Sequence, residues 1–227
     1  MRPDPRALPA YVEALTRILL KIADRLAGVN PRHLPVKLYV AGGAALHLRT
    51  GSRITEDIDA VFSQRVLLGD DLDASYRDVD GRARVLYLDR NYNDTLGLMH
   101  ENAYRDSEPI DLPGLDRRLL DVRALTPVDL AVSKLARYSG QDREDIAVLA
   151  REGLITARGL RARAEEALGG YVGNTGSVQT AIDLACKLIE SQRAPLQSPP
   201  QAPQPSAAKT AAKAAAKSPR KSRSSRR

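Results

Sequence analysis

The sequence predicts an α+β fold, and three observations carry the prediction. Short β-prone runs cluster in the first half of the chain, and amphipathic helical spacing dominates the second. No regular strand–helix–strand alternation or internal repeat joins them. With 43% hydrophobic side chains in 227 residues, the chain has material for a core, and its length fits one or two domains. The expected organisation is an α/β domain over 1–125, a helical half over 126–193 and a disordered tail over 194–227.

The elements follow in order. Apolar residues at Val12, Leu15, Ile18, Leu19, Ile22 and Leu26 recur at helical spacing, so Leu8 to Leu26 is expected as a helix, ended by Gly28 and Asn30-Pro31. Val36–Ala41 reads as a strand, and Ala44–Arg49 as a short helix closed at Gly51. Ile58–Phe62 and Arg84–Leu88 read as further strands, with short ones expected at Asn93–Met99 and Ile110–Leu112. Thr126-Pro127 opens a helix, Thr as N-cap and Pro at the first position, running through VDLAVSKLARY to Ser139-Gly140. Asp142 begins the next, with Asp142 and Asp145 imitating a capping box and a stop near Gly153. Two helices follow, about Ala157–Leu168 and Val178–Ser191.

Charge is unevenly placed. Residues 194–227 hold eight Lys or Arg and no acid, while the other 27 basic residues face 28 acids, so the +7 belongs to the tail. A Pro-, Ala-, Lys- and Ser-rich segment of this kind buries too little to offset its ordering entropy, and disorder is expected. Lys209, Lys213 and Lys217 would line one side of a helix against a polyanion. The composition resembles the basic tails of histone H1 and bacterial histone-like proteins. Phosphate binding by counterion release is one reading, and a solubilising extension the other. No apolar run approaches the roughly 20 residues that span a bilayer, and MRPDPRALPAYVEAL lacks a signal peptide's apolar stretch. A cytoplasmic protein is expected, with nucleoid association through the tail as a further option and no membrane partner. Cys186, alone in AIDLACKLIE, reads as a small buried hydrophobe.

The chemistry concentrates in GGAALHLRTGSRITEDIDA, residues 42 to 60. Asp57 and Asp59 are two apart on a predicted strand, hence on one face. Adjacent carboxylates repel, and Mg²⁺ held by one or two of them plus phosphate oxygens relieves the repulsion. Gly42 and Gly43 allow close backbone approach, the next helix N-terminus favours a phosphate, and Arg53 adds a charge-assisted contact. Taken singly, an Asp-x-Asp also reads as a solvated strand edge and a Gly-Gly as a turn. The order of strand, Gly-Gly, helix, base and Asp-x-Asp is the more specific signal.

The segment VAGGAALHLRTGSRITEDIDAVF resembles the signature of the DNA polymerase β-type nucleotidyltransferase superfamily. More narrowly, GGAA with Arg53 and Thr55 ahead of Asp57-Ile58-Asp59 is similar to the nucleotidyltransferase-like toxins related to the abortive-infection AbiE system. LTPVDLAVSKLARYSGQDREDI matches that branch's helical Lys and later paired Asp at Lys134, Asp142 and Asp145, with Gln141 where a base is common. The likeness spans about residues 36–150 and implies a polymerase β-like nucleotidyltransferase fold with a small mixed sheet. It further implies that Gly42, Gly43, Arg53 and Thr55 shape the nucleotide-phosphate site and that Asp57 and Asp59 hold Mg²⁺. Lys134 would neutralise an NTP triphosphate, and Asp142 or Asp145 would orient or deprotonate the acceptor. The implied activity is transfer of a nucleotide to an acceptor, RNA such as tRNA, by a toxin of a toxin–antitoxin or phage-defence system with a cognate antitoxin. Two other readings stand beside it: a non-catalytic nucleotide-sensing or nucleic-acid-binding module, and an enzyme modifying a protein hydroxyl. Asp111, in Ile-Asp-Leu between Pro109 and Pro113, matches the superfamily's third carboxylate in pattern, though its flanking prolines favour an edge or loop. His47 and His100 read as structural, Ser52 and Thr55 lack an adjacent base, and Lys134 and Arg137 also read as ion-pair partners of Asp129, Asp142 or Glu144.

Overall fold

A computed structural model describes residues 1–92 and 97–193. Met1–Ala194 form one compact unit, and the expected tail lies outside the described residues. The architecture is α+β, with two small mixed sheets and seven α-helices among the described residues.

Helix α1 (Pro9–Leu26) starts with Pro at N1, where the missing N–H costs nothing. Its apolar stripe is fully enclosed at Tyr11, Leu15, Ile18, Leu19 and Ile22. Each of the four aliphatic side chains among these contributes about 1.5–3 kcal/mol against an exposed position. The stripe packs on strands β4 (Asp73–Arg77) and β5 (Ala83–Leu88). These two form an antiparallel hairpin, and β2 (Asp57–Ile58) joins β5 in parallel to complete a three-stranded sheet. The second sheet runs β3 (Ala60–Phe62), β1 (Val36–Val40), β7 (Leu120–Ala124), β6 (Glu108–Pro109), with β1 and β7 parallel at its centre.

The continuous strand expected over Ile58–Phe62 is instead divided at Asp59. The Ile58 carbonyl accepts from Asp89 N–H (3.2 Å) in one sheet, and the Asp59 carbonyl from Ala41 N–H (2.8 Å) in the other. One chain thus passes between sheets at the second aspartate. Strands β4 and β7 were not expected, and the strand placed at Ile110–Leu112 is found just before it, at Glu108–Pro109. Of the expected Asn93–Met99 strand, 93–96 lie outside the described residues and Gly97–Met99 are not extended into a ladder.

Helix α2 is Gly42–Thr50, so the two glycines form its first turn, and it closes on left-handed Gly51 (φ 63°). After the short α3 (Ala103–Asp106), α4 (Pro127–Val132) is capped by Thr126, as expected, but ends early. Ser133 to Arg137 winds into tighter turns, with Lys134 N–H on Ala131 O and Leu135 N–H on Val132 O. Tyr138 then takes φ 44°, left-handed for a bulky residue. Helix α5 (Gly140–Arg151) opens with a true capping box between Ser139 and Asp142, not Asp142 and Asp145. Asp145 is committed elsewhere, to cations. Helices α6 (Ala157–Leu168) and α7 (Thr175–Arg193) complete the fold, α7 starting a turn before the expected Val178. Cys186 is buried against them, as expected.

Candidate nucleotide site

A cleft of about 680 Å³ opens where β1, the β2–β3 link and β5 end, facing the turns after α4. Gly42, Gly43, Arg53, Thr55, Asp57, Asp59 and Lys134, all singled out from sequence, line it together with Arg137.

One wall is acidic. The passage between sheets brings Asp57, Asp59 and Asp89 into the lining of one cleft. Thr55 Oγ1 donates to the Asp57 carboxylate. Neither Asp57 nor Asp59 has an ion-pair partner among the described residues. Burial, then the Asp57 and Asp89 carboxylates, push the Asp59 carboxyl up to about 6 against the opposing pull of Lys134 and Arg137. Gly42 has φ 56°, and a Cβ there would fall 1.8 Å from Asp59 Oδ2, so only glycine lets this carboxylate lie against the helix start. A Cβ on Gly43 would stand 3.0 Å from both the Arg53 guanidinium and Thr55 Cβ.

The other wall is cationic, and two buried acids behind it hold the cations. Asp145 accepts Arg53 through two bonds of 2.8 Å, Lys134 Nζ at 2.6 Å and the Gln141 amide at 3.1 Å. Asp142 accepts Arg137 through bonds of 2.8 and 2.7 Å, with Ser139 N–H and hydroxyl at 2.9 and 2.7 Å. Lys134 also lies 3.9 Å from Asp142. Burial alone would raise both carboxyls, but the bonds from Arg137 and Ser139 at Asp142, and from Arg53 and Lys134 at Asp145, hold both below the usual range. Lys134 is 5% exposed and its two acids 0–1%. Arg137, 75% exposed, extends to the rim.

Sequence reasoning grouped Asp142 and Asp145 with the catalytic residues. Their carboxylates lie behind the lining with their oxygens engaged, which suits them to positioning cations. Asp111 stands apart, exposed and 3.4 Å from Arg2. His47 is a buried tie: Leu8 N–H donates to its Nε2 (3.0 Å), and Nδ1 meets the Ser52 carbonyl (2.6 Å). Burial lowers its pKa, giving a neutral imidazole. His100 is likewise a packed residue bonded to Glu166 at 2.9 Å. Sequence reasoning did not single out Asp89, Asn91, Tyr92, Met99 and Tyr171, all of which line the cleft. Only Asp89 carried a signal, an acid immediately after the strand RVLYL.

The donor set fits a divalent cation completed by other oxygens. Two unpaired carboxylates face the cleft, yet no group of three or more His, Cys, Asp or Glu among the described residues could hold a metal alone. The fold is thus α+β, with an acidic and a cationic wall facing each other across one cleft. The chain belongs to the family described as Nucleotidyltransferase of unknown function (DUF6036), whose model matches residues 17–169. No curated protein and no solved structure matches it. Among the described residues, no helix is long and apolar enough to cross a membrane.

Proposed function

We propose that this protein is a Mg²⁺-dependent nucleotidyltransferase that moves a nucleoside monophosphate from an NTP to an acceptor hydroxyl. The observation that carries the reading is the opposition of the unpaired Asp57 and Asp59 to Arg53, Lys134 and Arg137, with Gly42 and Gly43 between them. Arg53, Lys134 and Arg137 bind the triphosphate and orient its α-phosphorus, while the glycine turn admits it to the first-turn amides of α2. Asp57 and Asp59 hold the metal, which when bound offsets charge developing on the phosphate oxygens. The acceptor oxygen forms a bond to the α-phosphorus as the bond to the bridging β-phosphate oxygen breaks, and pyrophosphate leaves. Asp89 is the cleft carboxylate available for the acceptor's proton, since Asp142 and Asp145 are spent on the cations.

RNA, such as tRNA, is the proposed acceptor, in a toxin–antitoxin or phage-defence setting with a cognate antitoxin. The AbiE-like motifs and the eight basic residues of 194–227 support this. The test is incubation of each α-³²P-labelled NTP with Mg²⁺, total RNA and cell protein. Label entering RNA from the wild type and absent with Asp57→Ala/Asp59→Ala is the expected result. Label in protein would reassign the acceptor. No transfer by the folded wild type would favour a non-catalytic nucleotide-binding module.

A further inference from the structure

The geometry points to Tyr171 as the platform on which the nucleobase stacks, an affinity element supplied by the α6–α7 connection. The inference rests on the reading of the cleft as a nucleotide site. Carboxylates and cations account for the metal and phosphates, but a base needs a flat apolar face. Tyr171 lines the cleft, although it lies two residues beyond the family match. Its backbone is tied down by successive turns: Gly169 N–H on Glu166 O, Gly170 N–H on Ala167 O, and Tyr171 N–H on Leu168 O. Its ring rests on the Gly173 backbone, where an added Cβ would come within 2.6 Å of the hydroxyl oxygen and 2.7 Å of Cε1 and Cζ. The Tyr171 hydroxyl makes no hydrogen bond among the described residues, so the ring's pose is set by packing. An aromatic ring of this kind binds bases through their π faces with little preference among them.

The test compares binding of the tightest of the four NTPs with that of tripolyphosphate, both with Mg²⁺, by calorimetry on the full chain. Wild type is expected to bind the nucleotide at least tenfold tighter than tripolyphosphate, in line with about 1–3 kcal/mol for one stacked base. Tyr171→Ala should weaken NTP about tenfold and leave tripolyphosphate unchanged, while Tyr171→Phe should match wild type. Gly173→Ala should imitate Tyr171→Ala by displacing the ring without removing it. Unchanged NTP affinity in folded Tyr171→Ala would overturn the inference and leave the proposed function standing. Equal loss of both ligands would overturn it too, since the residue would then act through the phosphates or the fold. Binding of neither ligand by wild type would sink the nucleotide reading itself, and the platform with it.

Discussion

Gly42 and Asp145 show how single residues set the cleft. Gly42→Ala must relieve a 1.8 Å approach to Asp59 Oδ2 and hold φ 56°, so either Asp59 or the helix start moves. A loss of about 1–3 kcal/mol in urea unfolding is expected, with a marked fall in nucleotide transfer. Gly43→Ala, where the contacts are 3.0 Å, should be milder on both counts. Asp145→Asn leaves the 5%-exposed Lys134 without its closest carboxylate, at a cost of about 3 kcal/mol. Asp142 and Asp145 have pKa values lowered by folding, so the stabilisation they contribute is fully present above the unfolded carboxyl value of about 4. It is lost as pH falls through their lower folded values. Stability measured from pH 5 down to pH 2 should therefore fall less steeply in Asp142→Asn than in wild type, although the variant is weaker at pH 7. Much of this arrangement was legible: Gly-Gly and Asp-x-Asp pointed to one wall, and Arg53 and Lys134 to the other. The burial of Asp142 and Asp145 was not, because a carboxylate that holds an arginine and one that faces substrate look alike in sequence.

At the level of elements, amphipathic segments were readable and charged strands were not. Helices α1 and α6 and strand β1 announce themselves because one face must be buried. Strand β7 is equally enclosed, yet its Asp121 and Arg123 break the apolar run. They satisfy each other at 3.0 Å, with Arg117 adding a contact at 2.9 Å, an arrangement only the folded chain supplies. Strand β4 alternates buried Ala74 and Tyr76 with exposed neighbours, a period-two pattern too short to stand out. Its outer edge is guarded from α1: Arg17 donates to the Ser75 carbonyl (2.5 Å), and Lys21 to those of Asp71 and Asp73 (2.7 and 3.1 Å). Free strand edges recruit other strands. Arg17→Ala/Lys21→Ala is thus expected to self-associate with rising concentration in sedimentation velocity runs where wild type keeps a constant coefficient.

For the whole molecule, the charge division predicts a division of labour. A chain ending at residue 193 should bind Mg²⁺–NTP as the full chain does but lose RNA affinity and most of its salt dependence. Filter binding between 50 and 200 mM salt would measure the change in slope. An unchanged slope would place the polyanion contacts in the body instead.

The acid wall is hung from two separate sheets, Asp57 and Asp89 from one and Asp59 from the bond to Ala41 in the other. The spacing of those carboxylates therefore works as a gauge of how the sheets lie on each other. A substitution deep under α1, such as Leu15→Ala, touches no ligand but lets the sheets settle differently, and the gauge reads it. Heating should act the same way, so that the proposed transfer activity fades before the fold melts, which sets a working temperature below the unfolding temperature.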